Sequence, residues 1–219
     1  MKAHLLAASA ALFSAVAFPA QAQYRRSATP DFPTQTTPRT PDTTPNHAPT
    51  SASENGNLDY PNPAADPLIP VEADKRKPIT DDLQATVTEL LKIYHESKQS
   101  HWNIRGPLYV PLHEQLQENA DEYLKYADLL AERVLQIGNP VDGRPAVVAA
   151  TANIGAFPGG FLTDKQVLLL LDQYVQTVAK RVRQRIEHLN KIDEVTSNKL
   201  QDLSYELDKH VWKFRVNMQ

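Results

Sequence analysis

The chain has 219 residues, a formal net charge of −3 and no cysteine. That length holds one domain of ordinary size and an extra segment. The near-balanced charge argues against a strongly basic surface for nucleic acid or an anionic membrane, and leaves room only for a local patch. The missing thiols exclude disulfides, thiolate metal sites and lipid attachment at an N-terminal cysteine.

The N-terminus, MKAHLLAASAALFSAVAFPAQAQ, places Lys2 ahead of an apolar run from about Leu5 to Phe18, followed by the small-x-small triplet Ala20-Gln21-Ala22. This order predicts a secretory signal peptide over 1–22, cut after Ala22, and so an exported protein of the periplasm or the extracellular space. The run is too short to span a bilayer as a folded helix and no later stretch has membrane length, so no membrane insertion is expected. Residues 23–77 differ in character: PTQTTPRTPDTTPNHAPTSASENGN has almost no large apolar side chain and cannot offset its ordering entropy by burial. The segment reads as a disordered, largely polyproline-like arm, its role open between a spacer, a glycosylated stalk and a partner-binding tail.

From Ile79 onward the apolar spacing is helical, and 78–219 is the predicted folded domain. The first helix opens at Thr80-Asp81-Asp82 as capping residues, shows Leu83, Val87, Leu90, Leu91 and Tyr94 on one face, and runs on to His101 before Gly106-Pro107 stops it. The second starts near Leu108 to Pro111 and carries Leu112, Leu116, Tyr123, Ala127, Leu130, Val134 and Ile137 up to Gly138-Asn139-Pro140. A short helical turn is expected near Ala149 to Ile154. Thr163-Asp164 caps a third long helix with Leu168, Leu171, Val175, Val178, Val182, Ile186 and Leu189 inward. A fourth opens near Asp193, with Leu200, Leu203, Leu207, Val211 and Phe214 on one face. Four long helices without a strand signal make an all-α four-helix bundle, and the long link between the second and third helices allows a crossover.

His101, at the end of the first helix, and His113, at the start of the second, reach the same height in an antiparallel hairpin. A site for iron also needs oxygen ligands, because hard cations favour carboxylate and imidazole. The second helix offers Asp128 and Glu132 at i, i+4 in YADLLAERV. At 1.5 Å per residue they lie roughly 22 to 28 Å from His113, too far to share an ion with it in one chain. Two copies of the helix, antiparallel across a two-fold axis, would bring the histidine end of each to the carboxylate end of the other. With Leu112 at zero and about 100° per residue, the core stripe occupies about 340° through 60°; His113, Leu124, Asp128, Ala131 and Leu135 fall at about 100–160°, and Glu132 at about 200°. On spacing alone the alternative stands that Asp128 and Glu132 are solvated acids paired with Lys125 or Arg133.

The stretch HWNIRGPLYVPLHEQLQENADEYLKYADLLAERV resembles the signature of the Dps family, the mini-ferritins: HWN, a Gly after a basic residue, LHE twelve residues on, then D-x-x-x-E in an A-E-R context. KQSHWN and the C-terminal ELDKHVWKF extend the likeness, which covers about Thr80 to Gln219. The resemblance implies a ferritin-like four-helix bundle with a short helix in the crossover between helices 2 and 3, assembled from two-fold dimers into a hollow dodecamer. It further implies ferroxidase sites that take iron (Fe²⁺ oxidised to Fe³⁺ by hydrogen peroxide or oxygen) between subunits. His101 and His113 of one chain would meet Asp128 and Glu132 of its mate, with Trp102 and Lys98 beside them. One position departs: the family's Asp four residues after the second histidine is Gln117 here, which implies weaker hold on one of the two irons. Asp193 and Glu194 resemble acids that line a three-fold pore through which iron passes; their other reading is as helix N-terminal charges. The few arm bases, Arg25, Arg26, Arg39 and Lys75-Arg76-Lys77, give no strong counterion-release term, and no physiological DNA binding is expected. The competing reading is a non-catalytic, structural or display shell with a degenerate metal site.

Overall fold

The structure, a computed structural model, describes residues 66–219. The signal peptide over 1–22 and the arm from 23 to 65 lie outside the described residues. In chain order the elements are α1 (Ala73–Asn103), β1 (Ile104–Arg105), α2 (Tyr109–Gln136), α3 (Pro145–Thr151), β2 (Leu162–Thr163), α4 (Asp164–Leu189) and α5 (Glu194–Asn217). Among the described residues no helix is long and apolar enough to cross a membrane.

α1 starts well before the capping residues that the sequence suggested. It begins at Ala73, and Thr80, Asp81 and Asp82 sit two turns inside it. Ala73, Lys75, Arg76 and Lys77 are good helix formers, and Pro78, in the second turn, is tolerated inside the helix although it removes one i→i−4 hydrogen bond. Ahead of the helix, Val71 is buried against the core and its carbonyl accepts from Arg76 Nε at 2.8 Å, so the ordered domain begins before residue 78. The other long helices start where the sequence placed them. Thr163 and Gln166 form a reciprocal capping box on α4, and Asp193 is the N-cap residue of α5. The short turn expected near Ala149 to Ile154 instead opens at Pro145, whose fixed φ suits the first turn of α3.

β1 and β2 form a two-residue parallel ladder, Ile104 opposite Leu162 and Arg105 opposite Thr163, where no strand was expected. Its pairing has a topological meaning. The end of α1 and the start of α4 lie at the same end of the bundle, so the connector carrying α3 returns over the full bundle length and α2 runs parallel to α4. The same end is set by Gly106, whose φ of +148° is open to glycine alone. A Cβ there would lie 2.5 Å from Asp164 Oδ2, the oxygen that accepts from Leu108 N. That tight corner fixes how α1 hands over to α2.

Leu90, Ile93, Leu116, Leu130, Val178, Leu203 and Phe214 are among the core side chains, all fully buried. Across the core, buried Glu89 of α1 accepts from Arg181 at 2.9 Å and from Arg185 at 2.5 Å. Arg181 also donates to the Ala152 and Asn153 carbonyls at 3.0 Å, which pins the crossover to α4.

A second buried polar pair joins α2 to α5: Tyr123 Oη and His210 Nδ1 are 3.0 Å apart. Burial pushes the Tyr123 hydroxyl up, so it stays protonated beside the histidine. Burial first, then the Lys209 and Lys213 charges, pushes His210 from 6.5 down to about 4. A histidine depressed in the fold takes up its proton more readily when unfolded, so stability falls as pH drops from about 6.5 towards 4. Urea unfolding over that window is expected to show a slope of up to about 1.4 kcal/mol per pH unit per chain from this group. His210→Phe should flatten it; an unchanged slope would assign it elsewhere.

Candidate metal centre

His101 in the last turn of α1 and His113 in the second turn of α2 lie face to face, with ring centroids 3.6 Å apart and an interplanar angle of 20°. Each ring is locked by the other residue's backbone. His101 Nδ1 donates to the His113 carbonyl at 2.7 Å, and His113 Nδ1 donates to the His101 carbonyl at 2.8 Å. A carbonyl only accepts, so the proton of each neutral ring is fixed on Nδ1 and the Nε2 lone pair is left as the ligand. Burial is the main influence lowering the His101 pKa, aided by the nearby His113 and Lys98 and opposed by its hydrogen bond to the His113 backbone. The neutral form is the one that binds metal. Tyr109, which the sequence did not single out, stacks on His113 with ring centroids 5.1 Å apart and an interplanar angle of 29°.

Lys98, one turn before His101, donates to the Gln117 amide oxygen and stands 5.5 Å from the Trp102 ring centroid. Trp102 is 65% exposed. Gln117 Nε2 in turn donates to Asp121 Oδ1 at 2.7 Å, a partner that sequence reading missed although its i, i+4 spacing was visible.

Asp128 and Glu132 are exposed on α2, and the structure does not bring them to the histidines. Among the described residues of one chain, no three His, Asp or Glu side chains gather as a metal would require. The bases proposed as their surface partners are engaged elsewhere. Lys125 pairs with Glu122 at 3.2 Å, and Arg133 is buried against Asp193, Thr196 and Gln136. Around the two acids the helix exposes Leu124 and Leu135, beside a shallow groove lined by Val87, Leu91, Ala127 and Ala131.

At the start of α5, the two suggested pore acids have different surroundings. Asp193 is bound within the chain by Arg133 at 2.7 Å and by the Thr196 hydroxyl. Burial alone would raise its carboxyl, but these hydrogen bonds hold it below the ordinary value. Glu194 is exposed, as is Asn198 one turn on.

The chain's similarities agree with this architecture. Residues 80–219 match the ferritin family, described as a ferritin-like domain. The chain is 39% identical over 137 residues to DNA protection during starvation protein 2 of Deinococcus radiodurans, a match covering 63% of this chain and 57% of that relative's length. It is 27% identical over 140 residues to the fine tangled pili major subunit of Haemophilus ducreyi, covering 64% of this chain and 74% of that protein. Among solved structures, the crystal structure of Dps92 from Deinococcus radiodurans superposes with a TM-score of 0.65 at 37% identity, covering 67% of this chain and 88% of the other. With five helices in this order among the described residues and these matches, the chain belongs to the ferritin-like family and, within it, to the Dps proteins.

Proposed function

We propose that this is an exported mini-ferritin that oxidises Fe²⁺ at sites shared across a two-fold dimer and stores the ferric product inside a dodecameric shell. The observation that carries the reading is the locked histidine pair between α1 and α2, with both Nε2 lone pairs free, while the unpaired carboxylates of α2 are far from it in the same chain. Iron is the substrate. His101 and His113 bind it from one subunit and Asp128 and Glu132 from the other, a mixed imidazole and carboxylate set suited to iron. The oxidant is hydrogen peroxide or oxygen; with peroxide, 2 Fe²⁺ + H₂O₂ + 2 H⁺ gives 2 Fe³⁺ + 2 H₂O, a two-electron reduction that releases no hydroxyl radical. Trp102 stands beside the site, where an indole can intercept a stray oxidising equivalent, and exposed Glu194 supplies negative charge to draw cations inward. The predicted signal peptide sends the shell to the periplasm or beyond, and DNA binding has no part in its role.

Stopped-flow spectroscopy of the assembled protein tests this. Anaerobic Fe²⁺ followed by peroxide should give ferric absorbance much faster than Fe²⁺ in buffer, with oxygen slower. Oxidation no faster than in buffer would leave the second reading, a structural shell or fibre subunit. Two observations favour that second reading: Gln117 replaces a carboxylate, and a relative at 27% identity is named a pilus subunit.

A further inference from the structure

Gln117 leaves the proposed site one carboxylate short, and its surroundings compensate in a specific way. Its amide is held at both ends. The Lys98 ammonium can only donate and the Asp121 carboxylate can only accept, so the amide has one orientation, Oε1 towards Lys98 and Nε2 towards Asp121. The negative charge missing at position 117 therefore reappears one helical turn further on, about 6 Å along the axis. On the wheel with Leu112 at zero, Asp121 falls at about 180°, between Asp128 at about 160° and Glu132 at about 200°. It belongs to the ligand flank of α2.

We propose that Asp121 is a positioning residue for the more weakly held Fe²⁺ of the shared site, acting through Gln117. Donation from Nε2 to a carboxylate moves amide electron density towards Oε1, and hydrogen bonds in a chain strengthen one another. Oε1 has two lone pairs and Lys98 engages one, which leaves the other for a hard cation. The trio of Lys98, Gln117 and Asp121 is neutral overall, as a lysine and an aspartate at position 117 would be. Were Asp121 merely an i, i+4 surface partner of Gln117, its loss would shift helix stability slightly and leave metal affinity alone.

The proposal rests on the ferroxidase reading, and Co²⁺ titration of the assembled, full-length protein without oxygen or peroxide separates the two. Calorimetry and visible absorption together are expected to resolve a stronger and a weaker Co²⁺ step per site. Asp121→Asn should weaken the weaker step about tenfold and leave the stronger within about twofold. Gln117→Asp added to Asp121→Asn should restore the weaker step, a rescue that a purely structural role does not give. Unchanged affinities in Asp121→Asn, no recovery in the double variant, or a single Co²⁺ step in the unaltered protein would each overturn the proposal. If both steps instead survive in His101→Ala/His113→Ala, the ferroxidase reading falls and this one with it.

Discussion

Replacing His101 and His113 together with alanine is expected to lower peroxide-dependent Fe²⁺ oxidation by at least ~100-fold, since even residues behind metal ligands cost ten- to a hundredfold when removed. The same loss is expected from Asp128→Ala/Glu132→Ala, but the two variants should differ in stability. The histidines cross-link α1 to α2 through two hydrogen bonds to backbone carbonyls, each contributing about 1 kcal/mol, so their removal lowers the unfolding midpoint. Asp128 and Glu132 have no hydrogen bond or ion pair among the described residues and repel each other at i, i+4, so their removal leaves the midpoint unchanged or raised. Stopped-flow rates beside thermal melts check both halves. An active carboxylate variant would mean that these acids do not hold iron.

The largest effect on stability is expected at Arg133. Its guanidinium and the Asp193 carboxylate have side chains only 10% and 9% exposed, and they join the end of α2 to the start of α5. Arg133→Met keeps the apolar stem but leaves a buried carboxylate without its cation, and should cost about 3–5 kcal/mol in urea unfolding near neutral pH. The Asp193 carboxyl is held below its ordinary value of 3.8, so its contribution is present above about pH 4 and is lost as pH falls through the folded value. The variant should lose that acid-dependent part, and the gap between the two proteins should narrow below about pH 4. Arg133 follows Glu132 directly, so the same change also loosens the turn that carries the acids. A variant as stable as the parent would show that the pair makes no net contribution.

Most of the bundle is legible in the sequence because the core repeats with the period of the helix. Leu116, Tyr123, Leu130 and Val134 on α2, and Leu171, Val175, Val178 and Val182 on α4, are buried where that period puts them. Caps mark the starts of α4 and α5 for the same local reason. The start of α1 was not legible, because Pro78 reads as a stop while Ala73 to Lys77 lack an apolar stripe. β1 and β2 were not legible either, since two-residue strands arise only where the crossover lays Leu162 beside Ile104.

At the metal centre, hairpin geometry predicted that the two histidines share a height, and helix length predicted that the two acids stay away from them. Side-chain engagement was beyond the sequence. Nothing in residues separated by 60 positions announces that Arg133 takes Asp193, and the orientation of the Gln117 amide follows only once Lys98 and Asp121 are seen on either side of it.

Whether the site belongs to one chain or to two is tested most directly by mixing the inactive variants. A His101→Ala/His113→Ala subunit and an Asp128→Ala/Glu132→Ala subunit, dissociated together and reassembled, form mixed dimers in which one interface site has every original ligand and the other has none. Rapid ferroxidase activity should then return, to about half the original rate per dimer if pairing is exclusively mixed and about a quarter if it is random. Mixed dimers demonstrated by mass spectrometry but still inactive would contradict sharing of the site between chains.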